Sequence, residues 1–369
     1  MPAAPRLLSK RVTDCDLAYR RLRNQRLVGP KLAGPDEVVA WLTAVQAQDY
    51  GGAKWALSMR TNGITDAAID DAFNAGTILR THVMRPTWHF VTPSDIRWML
   101  ALTAPRVHAV SAYYYRKHEL DSRIFARAGA LFERALEGGK QLTRVELAAV
   151  LGKSGIRAEG SRLGHLMMRA ELDAIVCSGP RRGKQFTYAL LDDRAPTTRT
   201  LGRDESLAEL ARRYFSSHGP ATLKDYVWWS GLTARDAKAG IAMAKSKLVQ
   251  EVMDGRTYWF APTKSLVGRD SLTAHLLPNY DEHLVAYKDR APLSDAMRSI
   301  MWPVEDAFPH YLVVDGQLVG TWRRRFGRNE AVIEVRTPRP LKRDEKKALA
   351  AEGARYGRFI NMPVTLSLV

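Results

Sequence analysis

Gln46 and Gln48 stand one residue apart in the run Trp41-Leu42-Thr43-Ala44-Val45-Gln46-Ala47-Gln48-Asp49-Tyr50. Two side-chain amides between an apolar stripe and the flexible pair Gly51-Gly52 could both point into a cavity. Each would offer one accepting oxygen and a donating nitrogen. The same pattern also suits two solvated or capping glutamines, and spacing alone does not separate the two readings. Other chemistry is sparse. The chain has no Walker loop, Gly-rich dinucleotide turn or nucleophile elbow. Of its nine histidines, none falls in a zincin or paired-cysteine pattern. His118-Glu119 lacks a second histidine, and Asp281-Glu282-His283 is too short to be a metal site by itself. His89 lies in a β-rich run and reads as a buried side chain. Asp49, directly after Gln48, and Asp281, in Leu276-Leu277-Pro278-Asn279-Tyr280-Asp281, are the carboxylates of interest. This reading calls for neither a metal nor a cofactor.

The elements that must position these residues begin with a helix opened by Pro35 and Asp36. Val38, Leu42 and Val45 share one face of it, so the spacing predicts that the glutamines lie where this helix ends. Further helices are predicted over 17–25, 53–60 and 65–74, then two short strands, Thr77–Val83 and Thr87–Val91. Thr92 and Asp95 form a capping box for a helix through Leu102, and Pro105 should start another through Tyr115. Tyr113–Tyr115 reads as packing surface between units. The order of helices followed by a hairpin is that of a winged helix-turn-helix. It returns in 121–191, where the helix 161–172 carries Leu163, Leu166, Met167 and Ala170 on one face and Arg162, His165 and Arg169 on the other, as a groove-reading helix requires. The hairpin tip that follows holds Arg181, Arg182 and Lys184, placed to contact phosphates. A third unit follows a polar linker, with capping pairs Thr222/Asp225 and Thr233/Asp236 and a turn at Asp254-Gly255. From 266 onward, strands predominate around one long helix within 339–359. They suffice for a small antiparallel β-barrel, whose hairpin Trp322–Arg328 mixes cations with aromatics.

Composition bounds the partners. The 369 residues are 46% hydrophobic, and 56 Lys and Arg against 39 Asp and Glu give a net charge of +17. The excess recurs at Arg6–Arg26, Arg181–Lys184, Arg323–Arg328 and Lys342–Lys347, a distribution that suits polyphosphate, with double-stranded DNA the leading partner. An anionic membrane competes, but no apolar run could span a bilayer and no signal-peptide core follows Met1. Two cysteines cannot make a disulfide framework. The chain reads as a soluble, cytoplasmic, nucleoid-associated monomer.

Four blocks, in order along most of the chain, resemble the AlkZ-type DNA glycosylases: Val45–Gln48, Met84–Val91, Leu276–Asp281 and Val314–Trp322. The resemblance implies an α+β fold, with three tandem winged helix-turn-helix domains in a C-shaped arrangement (1–120, 121–195 and 200–265) followed by a small C-terminal antiparallel β-barrel with a long helix (266–369). It implies excision of alkylated bases, in some members including the guanines of interstrand crosslinks. The family's catalytic element is glutamine, an aliphatic or small residue, and glutamine, here Gln46, Ala47 and Gln48. Related YcaQ-like enzymes carry Asp at the second polar position.

Such a pair suits a particular leaving group. Alkylation at guanine N7 makes the base cationic, so it departs neutral and needs no general acid. The protein must then hold a water against an oxocarbenium-like sugar. A glutamine can orient that water but cannot take its proton, forgoing part of the ~10²–10⁴-fold gain of general base catalysis. Normal bases should be spared. The helix 161–172 and the basic residues Arg181, Arg182, Lys184, Arg323, Arg324, Arg325 and Arg328 would grip DNA. Winged helices also serve non-catalytic DNA-binding regulators, and the same charge would suit a structured-RNA binder; both alternatives stay open at the level of sequence.

Overall fold

The computed structural model describes residues 14–196, 200–262, 271–288, 299–300 and 309–369. The basic residues before 14 and parts of the expected barrel, 266–270, 289–298 and 301–308, lie outside the described residues.

The first unit runs through α1 (Asp14–Asn24), α2 (Pro35–Leu42), β1 (Val45–Gln46), α3 (Tyr50–Ser58), α4 (Asp66–Ala75), β2 (Leu79–Val83), β3 (Arg85–Val91) and α5 (Pro93–Lys117). Its sheet has the order β1-β3-β2. The glutamines are not at a helix end as expected. Helix α2 stops at Leu42, because Thr43 turns to φ 73° and the chain leaves as a strand. Over so short a window, a buried Val45 satisfies a helical period and a strand alternation equally well. Helix α5 also departs from expectation, since Pro105 lies inside one continuous 25-residue helix. Proline forfeits the bond to the carbonyl four residues back. Pro105 and Ala101 are both exposed, so water can serve that carbonyl.

The second unit holds α6 (Ser122–Leu136), β4 (Leu142–Thr143), α7 (Arg144–Lys153), α8 (Gly160–Leu172), β5 (Val176–Ser178) and β6 (Thr187–Leu190), with sheet order β4-β6-β5. After α9 (Leu191–Arg194), the third has α10 (Arg203–Ser217), α11 (Leu223–Ser230), α12 (Ala234–Ala244) and the hairpin β7 (Val249–Met253) and β8 (Arg256–Phe260). Asp254 and Gly255, both at positive φ, make its turn. Gly231, at φ +69°, ends α11 so close to the first unit that a Cβ there would lie 2.3 Å from the Met84 carbonyl.

The C-terminal part contains β9 (Ala274–Leu277), α13 (Glu282–Val285), β10 (His310–Val314), β11 (Gln317–Phe326), β12 (Ala331–Arg336), α14 (Arg343–Ile360) and β13 (Val364–Leu368). Here the expected barrel must be corrected. Among the described residues these strands form an open sheet, β13-β12-β11-β10-β9. It is also mixed, because β12 and β13 pair in parallel. Helix α14 is the crossover that a parallel pair requires.

Among the described residues, the sheet shares its core with the first unit. Leu276, Leu312, Trp322, Ile333 and Tyr356 pack in one cluster with Val38, Leu42, Val45, Ala47, Trp55 and Phe90 of the first unit. A second cluster joins β2 and α5 to the second and third units, and Ala44 belongs to it. The glutamine segment therefore runs where two cores meet. Polar ties fix that junction. The Trp55 and Trp322 indoles donate to the Leu276 and Leu277 carbonyls at 2.7 and 2.9 Å. Asp281 and Arg60, both fully buried, form a two-pronged ion pair at 2.8 and 2.9 Å. Among the described residues, no helix is long and apolar enough to cross a membrane.

Candidate active site

Val45 and Ala47 are buried in the core shared with the C-terminal sheet. Alternation along an extended segment then directs Gln46 and Gln48 the other way. Pairing with β3 continues past β1, since the Ala47 N–H donates to the Trp88 carbonyl at 2.8 Å. Arg80, from β2, donates to the Ala47 carbonyl at 3.0 Å and lies over the Trp88 ring. The two amides differ in setting. Gln48 is exposed, and its Oε1 lies 3.5 Å from the Trp88 N–H, long for a hydrogen bond. Gln46 is only 7% exposed, and its Oε1 is buried without a hydrogen-bond partner among the described residues.

Gln46 faces His89 across the strands, and His89 faces Thr81. Directly opposed residues of an antiparallel sheet share a face. Along this row, Gln46 Oε1, His89 Nε2 and Thr81 Oγ1 are all buried without partners among the described residues. An unmet buried polar atom costs roughly 1–3 kcal/mol, and unpaired atoms also occur away from this row, as at His275 and Tyr226. What distinguishes these three is that the strand register puts them on one face beside Gln48. Burial, reinforced by Arg85, pushes His89 down to about 3, so its imidazole is neutral at physiological pH. It is buried, as its β-rich surroundings suggested, and it belongs to the polar row.

Behind β1 lies a carboxylate that the sequence did not single out. Glu282 Oε1 accepts the Gln46 N–H at 2.9 Å, and Oε2 accepts the Trp229 indole N–H at 2.9 Å. His218 Nε2 stands 3.4 Å from Oε2. Burial works to raise the Glu282 carboxyl, but His218 and the Gln46 N–H bring it below its ordinary value. Its signal in the sequence was the acidic pair Asp281-Glu282, which matched no metal pattern. Among the described residues no cluster could hold a metal ion. Asp49 caps α3 by accepting the Gly52 N–H at 3.1 Å, and lies 3.9 Å from an Arg324 nitrogen.

That contact brings one expected DNA-binding residue to the glutamine segment, where Arg324 also has a buried Nη1 without a partner among the described residues. Its neighbours point elsewhere: Arg323 and Arg325 both pair with Glu334, while Arg328 is exposed beside the tip. In the second unit the expected reading face is largely engaged within the chain. Arg162 donates to the His118 and Glu119 carbonyls, Arg169 to Asp173 at 2.6 Å, and His165 stacks on Tyr114. Tyr114 and Tyr113 are exposed, and only Tyr115 of that trio is buried packing surface. Arg181 turns inward to Asp70 and lies over Tyr50, away from the hairpin tip. Arg182 binds Glu146 and the Gln141 carbonyl, leaving Lys184 exposed.

The family model of AlkZ-like DNA glycosylases matches residues 39–359. The chain belongs to that family. It is 24% identical, over 92% of its own length and 94% of the relative's, to an interstrand DNA cross-link repair glycosylase of Streptomyces sahachiroi. The solved structure of Streptomyces sahachiroi DNA glycosylase AlkZ has the same fold, with a TM-score of 0.80 at 20% identity over 97% of this chain and all of that one. The match runs from within α2 to within α14, so it includes the glutamine segment, Glu282 and Arg324.

Proposed function

We propose that this AlkZ-like chain hydrolyses the N-glycosidic bond of N7-alkylated, cationic purines in double-stranded DNA, using a water positioned by Gln46 and Gln48. The observation that carries the reading is the Gln46 side-chain oxygen, Oε1, buried without a partner among the described residues beside an exposed second amide. An acceptor aimed at a water, with a second amide to complete its orientation, is what this hydrolysis requires of the protein. A base that is already cationic leaves without protonation, so no general acid is needed. The reaction is monofunctional: water adds at the sugar C1′ as the bond to the base nitrogen breaks, the base leaves neutral, the proton of the water passes to solvent, and an abasic site remains. Crosslinked guanines fall within the same chemistry. A guanine tethered to the opposite strand cannot swing into a deep pocket, which favours a site reached by the exposed Gln48 and flanked by Arg324.

In this proposal the three units at 1–120, 121–195 and 200–265 are winged-helix domains in a C-shaped arrangement, and the protein works as a monomer on nucleoid DNA. Arg328 and Lys184 contact phosphates directly, and Arg324 does so once it leaves Asp49. Arg162, Arg169, Arg181, Arg182, Arg323 and Arg325 must first exchange an intrachain partner for a phosphate. That engagement weighs against a sequence-reading regulator, which needs the α8 side chains free to reach bases. The test incubates the protein with duplex containing N7-methylguanine, with an N7-linked crosslink, or with neither, followed by alkaline cleavage at abasic sites. The proposal expects cleavage in the first two substrates only. No product from either, with duplex still bound, overturns it in favour of a binding protein.

A further inference from the structure

We infer that Glu282 is a positioning residue for Gln46, so that the third unit sets the geometry of the reaction through one buried carboxylate. The inference rests on the function proposed above. Glu282 is 1% exposed and both of its oxygens are taken by protein donors, so it acts through Gln46 and not on the DNA itself. Its two oxygens join two parts of the molecule. Oε1 holds the main-chain N–H of Gln46, and Oε2 holds the indole of Trp229 on α11, with His218 at the end of α10 beside it. Asp281, the preceding residue, is locked to buried Arg60, so the carboxylate has little freedom to follow a shift of β1.

The Gln46 N–H is a natural place for such a grip. In the pair Gln46–His89 the ladder runs along one edge of β1, and among the described residues the other edge carries no further strand of that sheet. An edge amide without a strand partner would ordinarily meet water. Here an ionised acceptor takes it, and charge-assisted hydrogen bonds are stronger and shorter than neutral ones. The rotation of β1, and so the aim of the Gln46 amide, is thereby referred to Trp229 and His218. A carboxamide at 282 cannot reproduce this, because it has one acceptor oxygen for two donors.

Single-turnover excision of N7-methylguanine from duplex, measured with duplex affinity, tests the inference. Glu282→Gln should lower the rate by about 10–100-fold, the scale of a displaced catalytic group, with the dissociation constant within about twofold of the wild type. Trp229→Phe, which keeps the carboxylate and removes one donor, should give a smaller loss of the same kind, and it carries the test if Glu282→Gln does not fold. In a Gln46→Asn background, where the amide is already withdrawn by one methylene, either change should cost little more. Losses that multiply in that background overturn the inference, as does a Glu282→Gln rate within twofold of wild type or a rate loss matched by lost DNA binding. If Gln46→Asn itself cuts at the wild-type rate, the proposed function fails first, and the two failures are thus told apart.

Discussion

Removing the Asp281 carboxylate should unseat the junction on which the site is built. Arg60 is fully buried, with its Nη1 and Nη2 on Asp281 and its other N–H groups on the Ala56 carbonyl, the Gln25 carbonyl and the Gln25 side chain. In Asp281→Ala those neutral acceptors remain, but the charge has no counterion. Deleting one partner of a buried ion pair costs about 3–5 kcal/mol. Replacing both partners by apolar residues, Arg60→Met with Asp281→Leu, should recover only part of that loss, since the buried charge is gone but the Ala56 and Gln25 acceptors lose their donor. Urea denaturation followed by tryptophan fluorescence reads both, because Trp55 and Trp322 lie in the affected core. Excision should fall with Asp281→Ala, since the same turn carries Glu282. A loss under about 1 kcal/mol for the single variant, or a double variant as unstable as the sum of its parts, would refute this reasoning.

Acid should destabilise the protein early. Burial pushes His89 down to about 3, His283 and His310 to about 4, and His275 well below its ordinary value. Each binds a proton in the unfolded chain near pH 6.5 but stays neutral when folded. Their contribution is thus complete above that pH and is lost as pH falls toward 4, by up to about 1.4 kcal/mol per pH unit for each histidine. Denaturation midpoints that stay level between pH 7 and pH 5 would contradict this. Lys184→Ala, at an exposed hairpin tip, should leave stability within about 0.5 kcal/mol while flattening the salt dependence of duplex binding by about one phosphate contact. Arg162→Ala should instead cost stability, because its guanidinium caps carbonyls at the end of α5; thermal melts of the two variants separate the roles.

Much of this was legible in the sequence, for identifiable reasons. Amphipathic spacing and capping pairs such as Thr222/Asp225 mark helices by local rules, and Asp254-Gly255 marks its turn by backbone preference. The resemblance of Val45–Gln48 and Leu276–Asp281 to known glycosylases pointed to two segments that the fold brings together, with Glu282 on the Gln46 N–H. Three things were not legible. Val45 fits a helix and a strand alike, so the strand carrying Gln46 could not be told from a helix end. Closure of a sheet depends on which strands meet, and the β12–β13 crossover through α14 leaves no mark in strand composition. The fate of a cation depends on partners far away in sequence, as with Arg181 on Asp70 and Arg324 beside Asp49.

The central claim is that two uncharged amides direct water onto the sugar, and single-turnover kinetics of Gln46→Ala and Gln48→Ala on N7-methylguanine duplex test it most directly. Gln46→Ala should lower excision to near the spontaneous rate of depurination, and Gln48→Ala should also slow it, with duplex affinity nearly unchanged for both. Excision by Gln46→Ala at the wild-type rate would contradict the account.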